Sequence, residues 1–520
     1  MRYSMRTPKG MPSPTFRKVL EMCAMSTEFI DEDFNAVPST LLKRMARYKV
    51  TRADSCINCG LCESLCPYGV HRRVEGHVKM LPPADAKCIG PTCSANSYYC
   101  VKNCPTQSLT VTSNPVFASM GDPRWTPDMI IATWRQAETG QPLALDHYSQ
   151  VGNSGGGFDR ISIQLPPAKG NFHPEEISTA IDLNHRKYGP RVKINIPVYG
   201  GGMSFGSVSK RTMLAKAIAA TEWNTFTCTG EGGYPDMLIP YKDHVITQIA
   251  TGLFGVREET IKRARIVEFK YAQGAKPGLG GHLLYEKNTP EVAKMREAVP
   301  FTSLFSPFPF HSVYSVEDHK KHLDWINAVN PKALLSVKVS TPNDVEMVAV
   351  GSYYAGANIV HLDGGYGGTG AAPEIAKKNI AQPIEYAIPK VHRFLEKEGI
   401  REDVTLICSG GMRTAMDIAK AICMGADGVV IGTAEMVAMG CVRCANCESG
   451  RGCPRGIATT DKELELQNEI PVQAKRLCNL YQSWQMQWKE LLHRLDMKDI
   501  SELRGRTDLL RYNGTPGRLL

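Results

Sequence analysis

The sequence predicts an α/β protein: a (β/α)8 TIM barrel, a small cysteine-rich domain ahead of it and helices behind it. Three observations carry that prediction. Short β-branched runs alternate with helical patterns from about residue 161 to 440. Cysteines crowd into two groups before that stretch and one directly after it. Residues 461–511 have the spacing of polar amphipathic helices. The 520 residues allow about three domains at roughly 150 residues each. With 42% hydrophobic and 22% charged residues the composition is that of a globular chain, which excludes disordered and collagen-like classes. No apolar run is long enough for a spanning helix.

Taken in order, residues 1–50 form an N-terminal extension, with a helix expected over Thr40 to Tyr48 behind Ser39 as N-cap. Residues 51–115 hold eight cysteines and too little apolar sequence for a core, so a bound metal must hold that domain together. Residues 116–460 carry the barrel, and 461–520 the C-terminal helical segment. The expected barrel strands are Val192–Val198, Thr225–Thr229, Ile266–Tyr271, Thr302–Phe305, Leu334–Val339, Asn358–Leu362, Val404–Cys408 and Gly428–Ile431. Helices are expected over Val208–Thr221, Val316–Val329, Pro342–Ala355 and Thr414–Met424.

The chain has 17 cysteines, and most of them cluster. An odd total in tight groups is not a disulfide framework, and the first 20 residues lack the apolar segment of a signal peptide. A reducing, cytoplasmic setting with metal-bound thiolates is expected. Cys56-x2-Cys59-x2-Cys62-x3-Cys66-Pro67 has the spacing of a bacterial ferredoxin run, in which the fourth cysteine serves the other cluster of a pair. The second run is Cys88-x4-Cys93-x6-Cys100-x3-Cys104-Pro105. Crossing the two fourth cysteines gives one [4Fe–4S] cluster on Cys56, Cys59, Cys62 and Cys104, and another on Cys66, Cys88, Cys93 and Cys100. The domain is therefore read as a two-cluster ferredoxin-like module. Zinc prefers paired Cys-x2-Cys knuckles, which neither run contains. Cys441, Cys444, Cys447 and Cys453 follow the last expected strand and make a third iron–sulfur site, either [4Fe–4S] or [3Fe–4S].

Clusters move single electrons, so a partner that converts them to hydride chemistry is expected on the same chain, and a flavin is the usual converter. Ser409-Gly410-Gly411-Met412-Arg413 closes the seventh expected strand, and Gly432-Thr433 closes the eighth. Loops after strands seven and eight of a barrel bind phosphate through backbone N–H groups and helix starts, which fits FMN. Gly202-Met203-Ser204 follows the first strand and can lie against the isoalloxazine ring. Lys338, inside a strand, needs an anionic acceptor such as the N1/O2 side of a reduced flavin. The net charge of +9, from 61 basic and 52 acidic residues, suits small anions or an acidic protein partner. No basic block with interleaved aromatics marks a nucleic-acid surface.

At this point the motifs resemble a family. MSFGSVS at 203–209, TGEGG at 229–233, AQGAKPGLGG at 272–281, GGTGAAP at 367–373, SGGMRTAMDIAKA at 409–421 and LRGRTDLL at 503–510 are similar to the FMN-binding synthase domain of glutamate synthase. With the N-terminal module, the chain resembles the compact, archaeal-type large subunit. The resemblance implies reductive amination of 2-oxoglutarate by ammonia through 2-iminoglutarate, with a hydride from FMN N5. It places Gln273, Lys276, Arg296 and Ser315 on 2-oxoglutarate and Glu231 where ammonia arrives, and it adds Gln273, Gly368, Thr369 and Gly370 to the flavin set. Arginine and lysine are chemically apt for a dicarboxylate.

Three departures from the family pattern stand out. The chain begins Met1-Arg2-Tyr3 without the catalytic cysteine of a glutaminase domain, so a separate glutaminase subunit, or free ammonia, is expected. Cys444 is extra to a three-cysteine pattern. Asp363-Gly364-Gly365-Tyr366-Gly367-Gly368 and Phe310-His311-Ser312 replace other residues of the family. Electrons are expected from ferredoxin or from an NADPH-dependent flavoprotein subunit. Two other functions are carried alongside: an N-methylglutamate synthase, and an FMN/iron–sulfur electron-transfer subunit without 2-oxoglutarate turnover.

Overall fold

A computed structural model describes residues 46–513 apart from 75, 91–92, 94–98, 146–156, 168–169, 171, 278–280, 306–312, 370–371, 373 and 449. The chain divides into two compact units. The described residues of the smaller one run to Ile131 and include Val442–Cys444. The larger comprises Ala132–Cys441 and the chain from Ala445 onward.

The larger unit is the barrel. Its strands are β1 (Val198–Gly200), β2 (Thr227–Cys228), β3 (Val245–Ala250), β4 (Ile266–Lys270), β5 (Leu334–Ser340), β6 (Ile359–Asp363), β7 (Thr405–Ser409) and β8 (Gly428–Ile431). Every ladder between them is parallel, running from β2 through β3 to β7 and on to β8 and β1. Closure falls between β1 and β2, where Gly202 and Cys228 form a parallel bridge and the Gly200 N–H donates to the Phe226 carbonyl at 2.8 Å. Parallel strands need crossovers, and the helices supply them: α1 (Lys210–Glu222), α2 (Glu258–Arg263), α3 (Pro290–Arg296), α4 (Glu317–Val329), α5 (Val345–Tyr354), α6 (Ile384–Lys397), α7 (Ala415–Cys423) and α8 (Thr433–Ala438). Side-chain caps open several of them. Ser209 accepts from the Thr212 N–H before α1, and Thr414 accepts from the Asp417 N–H before α7.

The expected count of eight strands holds, but one member differs. Thr302–Phe305 is not in the barrel: Leu304–Phe305 pairs antiparallel with His282–Leu283 in a separate ribbon. The missing strand is β3. Its Thr247 and Gln248 interrupt the apolar run, because Gln248 faces a polar interior and donates to Glu268 at 2.6 Å. AQGAKPG therefore follows the fourth strand rather than the third. Within the expected first strand, Lys193–Ile194 forms a small antiparallel pair with Ile181–Asp182, and only Val198 onward enters the barrel.

The C-terminal segment also differs from expectation. Ile470–Leu495 is one helix, α9, and Leu480, Tyr481, Trp484 and Trp488 on it are almost wholly buried. Its polar residues are buried too: Gln487 and Ser483 both accept from Gln136 Nε2, at 3.0 and 2.8 Å. This helix is a packed part of the barrel unit.

The smaller unit centres on an antiparallel ribbon of Tyr48–Arg52 and Leu109–Ser113. Tyr48 thus opens a strand, where a helix end was expected. The earlier part of that expected helix, 40–45, lies outside the described residues. The unit's core consists of Val50, Val70, Cys100 and Leu109, with Cys62, Cys66, Cys88 and Cys104 packed against them. Among the described residues no helix is long and apolar enough to cross a membrane.

Candidate functional site

The loops at the C-terminal ends of the strands carry the predicted site residues, as in other barrels. Glu231 lies in the loop after β2, Lys276 in the loop after β4 and Arg296 at the end of α3. All three side chains are largely buried. Their mutual influence is electrostatic. Burial alone raises the Glu231 carboxyl, but Lys270, then Lys276 and Arg296, hold it below its ordinary value. Lys270 Nζ stands 3.1 Å from Glu231 Oε2 and donates to Gln273 Oε1 at 3.0 Å. Three cations thus surround one carboxylate.

Two of those cations keep unused donors. Arg296 Nη2 donates to Ser204 Oγ at 2.9 Å and to the Phe205 carbonyl at 3.3 Å, while its buried Nε has no partner. The Lys276 ammonium makes no hydrogen bond or ion pair among the described residues. Burial, then Lys270, lowers it to about 8 against the pull of Glu231 and Glu448. A buried N–H without an acceptor is costly unless a ligand supplies one.

Glycines make this packing possible. A side chain at Gly232 would press on the Arg296 guanidinium, and one at Gly281 on the Glu231 carboxylate. One at Gly274 would overlap the Gly364 and Asp363 carbonyl oxygens, and the Gly274 N–H donates to Asp363 Oδ2 at 3.0 Å.

The flavin residues predicted from sequence gather around the same mouth. Gly410 and Gly411 have φ of 96° and 97°, in the left-handed region that favours glycine. Gly432 opens α8 without a side-chain cap, and a side chain there would meet only Met203 Cε, at 3.4 Å. Thr433 is the first residue of α8. Bare backbone N–H groups beside glycines are the donor set a phosphate takes. Lys338 Nζ lies 3.2 Å from Asp363 Oδ2, and Asp363, followed by Glu268, raises it against the effect of burial. An ammonium held in this way suits an anionic ring system, so the residues fit FMN.

Other predicted residues stand differently. The Arg413 guanidinium is committed to Asp159, at 2.6 and 3.1 Å, and to Asp417, at 3.0 Å; its N–H also donates to Asp417. Ser409 turns its hydroxyl onto Asp363 Oδ1 at 2.6 Å. Ser315 is exposed at the start of α4, where its N–H donates to Asp318, and it does not join Lys276 and Arg296. Gly368 is exposed and Thr369 half-buried; Gly370 and 310–312 lie outside the described residues. Lys270 was missed from sequence. Its signal was the two-residue alternation of β4, which puts Glu268 and Lys270 on the same face.

In the smaller unit, Cys56, Cys59, Cys62 and Cys104 wall one cavity. Cys66, Cys88, Cys93 and Cys100 lie within electrostatic reach of one another. These are the two ligand sets obtained by crossing the fourth cysteines. The N–H groups of Asn58 and Gly90 donate to Cys56 Sγ and Cys88 Sγ, both at 3.4 Å, and such bonds tune cluster sulfur. No disulfide joins the cysteines among the described residues. No three His, Cys, Asp or Glu side chains among them close on a single ion. In the barrel unit, Cys441 leaves the end of α8, its N–H donating to the Met436 carbonyl. Buried Lys287 donates to the Cys447 carbonyl at 2.5 Å and pairs with Glu448 at 3.1 Å. Cys453 is buried. Cys444 is grouped with the smaller unit and is exposed.

A closed parallel barrel with a cationic mouth, on one chain with a cysteine-rich module, defines the class: an iron–sulfur barrel oxidoreductase. Comparison with known proteins gives the family. The family model described as a conserved region in glutamate synthase matches residues 159–498, and a 4Fe-4S dicluster domain matches 20–71. An archaeal-type glutamate synthase [NADPH] of Thermotoga maritima is 35% identical over 493 residues, 90% of this chain and 95% of that one. An archaeal glutamate synthase [NADPH] of Archaeoglobus fulgidus is 36% identical over 486 residues, covering 89% and 93%. A ferredoxin-dependent glutamate synthase of Pyropia yezoensis is 34% identical over 338 residues, 60% of this chain and 22% of that one. The chain belongs to the glutamate synthase family and is an oxidoreductase of that family.

Proposed function

We propose that the protein forms glutamate by reductive amination of 2-oxoglutarate with ammonia, through 2-iminoglutarate. The observation that carries this reading is the cluster of Lys270, Lys276 and Arg296 around Glu231, with Arg296 Nε buried without a partner and the Lys276 ammonium making no ion pair among the described residues. A dicarboxylate supplies two anionic groups to such a site, and a guanidinium binds one of them bidentately. Glu231, held ionised by its neighbours, stabilises arriving ammonium and the iminium carbon–nitrogen unit. Lys270 orients both Glu231 and Gln273. The Gly202–Ser204, Ser409–Gly411 and Gly432–Thr433 loops and Lys338 would hold FMN, which would supply the hydride. The cysteines of the smaller unit would hold two clusters and those of the 441–453 segment a third, which would supply single electrons. A glutaminase subunit would provide ammonia. A ferredoxin or an NADPH-dependent flavoprotein would provide the electrons, in keeping with the names of the relatives.

The test is product formation by the chemically reduced protein. Supplied with 2-oxoglutarate and ammonium it should yield glutamate. N-methylglutamate formed preferentially from methylamine would transfer the reading to the related amine-specific enzyme. No amino-acid product from either amine would leave electron transfer as the function.

A further inference from the structure

The barrel interior holds a continuous polar chain of which the reaction above uses only the Lys338 and Ser409 end. Strand alternation puts Gln248 of β3, Glu268 of β4, Ser336 and Lys338 of β5, and His361 and Asp363 of β6 on inward faces, with Ser409 at the end of β7. All are buried. Lys338 Nζ lies 3.2 Å from Asp363 Oδ2. Ser409 Oγ donates to Asp363 Oδ1 at 2.6 Å. His361 Nε2 lies 2.8 Å from Ser409 Oγ, and His361 Nδ1 lies 2.9 Å from Glu268 Oε2. Glu268 also accepts from Gln248 at 2.6 Å and from Ser336 at 3.1 Å.

Counting protons along this chain fixes the state of the imidazole. Asp363 faces the Lys338 ammonium and is ionised, so it only accepts. The single Ser409 hydroxyl proton must therefore lie on the short contact to Asp363. Ser409 then has only lone pairs to offer His361, so Nε2 carries a proton. Glu268 accepts from Gln248 and Ser336, and those bonds with the nearby Lys338 charge favour its carboxylate form; as a carboxylate it also accepts from His361, so Nδ1 carries a proton. An imidazole that donates from both nitrogens is an imidazolium.

We propose that His361 is a buried imidazolium, and that the alternating row Glu268, His361, Asp363 and Lys338 is a positioning device that keeps Lys338 charged beneath the cofactor. The second clause rests on the FMN reading; the first does not. The row balances two negative against two positive groups, which is how charges persist away from water. Among the described residues, Lys270 on the same face of β4 is engaged by Glu231 and Gln273. Tyr199 of β1 and Cys228 of β2 are held neutral, chiefly by burial and then by the nearby Glu268. Replacing His361 by a neutral side chain leaves the row one charge more negative, which disfavours an anionic reduced flavin.

Two measurements on the full-length protein test this separately. In 15N-histidine-labelled protein at about pH 8, where an ordinary histidine is neutral, both His361 nitrogens should carry protons, with His361→Gln used to assign the signal. A bare ring nitrogen there overturns the imidazolium. The second measurement is the FMN midpoint potential. His361→Gln that retains FMN should show a lower potential than wild type, and an unchanged potential overturns the positioning role. Should that variant lose FMN, His361→Asn and Lys338→Met replace it with the same expected fall. Wild-type protein that binds no FMN would sink the flavin reading while leaving the nitrogen measurement decisive for His361.

Discussion

At the scale of single residues, the account turns on which charges are already satisfied. Glu231 and Lys270 neutralise each other, whereas Lys276 is buried beside other cations and sits at about 8. A dianion that binds next to it favours its charged form, so binding takes up a proton once the free enzyme has lost one. The dissociation constant for 2-oxoglutarate should therefore be flat below about pH 7 and weaken by roughly tenfold per pH unit well above 8. Binding isotherms across that range would show it, and Lys276→Arg should abolish the dependence, since a guanidinium stays charged. A flat profile in wild type would remove Lys276 from the anion site. Much of this was legible in the sequence, because Glu231 and Lys276 sit in distinctive motifs and the family resemblance those motifs carry extends to Arg296. Lys270, Glu268 and His361 were not, because alternation shows which residues of a strand share a face but not whether that face is the barrel interior. Ser315 shows the converse: the family resemblance suggested a ligand, and its structure is that of a helix start.

Among the elements, the outcomes follow from what each strand or helix buries. Apolar strands such as Leu334–Ser340 were readable, while Val245–Ala250 was not, since Gln248 is buried in a hydrogen bond instead of an apolar contact. Helix α9 read as polar for the same reason, with Gln487, Ser483 and Asn479 all buried and bonded. Its integration into the barrel unit is measurable. Trp484→Ala removes a fully buried indole and should cost about 3–5 kcal/mol in a denaturant titration. A cost under about 1 kcal/mol would mean that the helix is an appendage. Gly274→Ala should be destabilising as well, by about 1–3 kcal/mol or more, because its Cβ has only backbone carbonyls to displace. Near-wild-type stability in that variant would contradict the close approach of the β4 and β6 loops.

For the whole molecule, the two compact units predict two separable transitions. Cys56→Ser should disrupt the cluster-binding unit and leave FMN bound to the barrel, seen as lost iron with an unchanged flavin spectrum. Loss of both together would show that the units fold as one. Iron analysis of wild type should give about 12 atoms per chain for three cubanes, or about 11 with a three-iron centre on three of the four cysteines between 441 and 453. A value near 8 would limit the clusters to the smaller unit.

Titration of 2-oxoglutarate followed by the flavin absorbance tests whether the cationic mouth binds a dicarboxylate beside the flavin. Wild type should show a saturable spectral shift. Arg296→Ala should bind about one to two decades more weakly, the worth of roughly 1.5–3 kcal/mol for a charge-assisted hydrogen bond. Arg296→Lys should fail to restore it, since an ammonium cannot reproduce the fork. Equal affinity in wild type and Arg296→Ala, or no shift in wild type, would contradict the account.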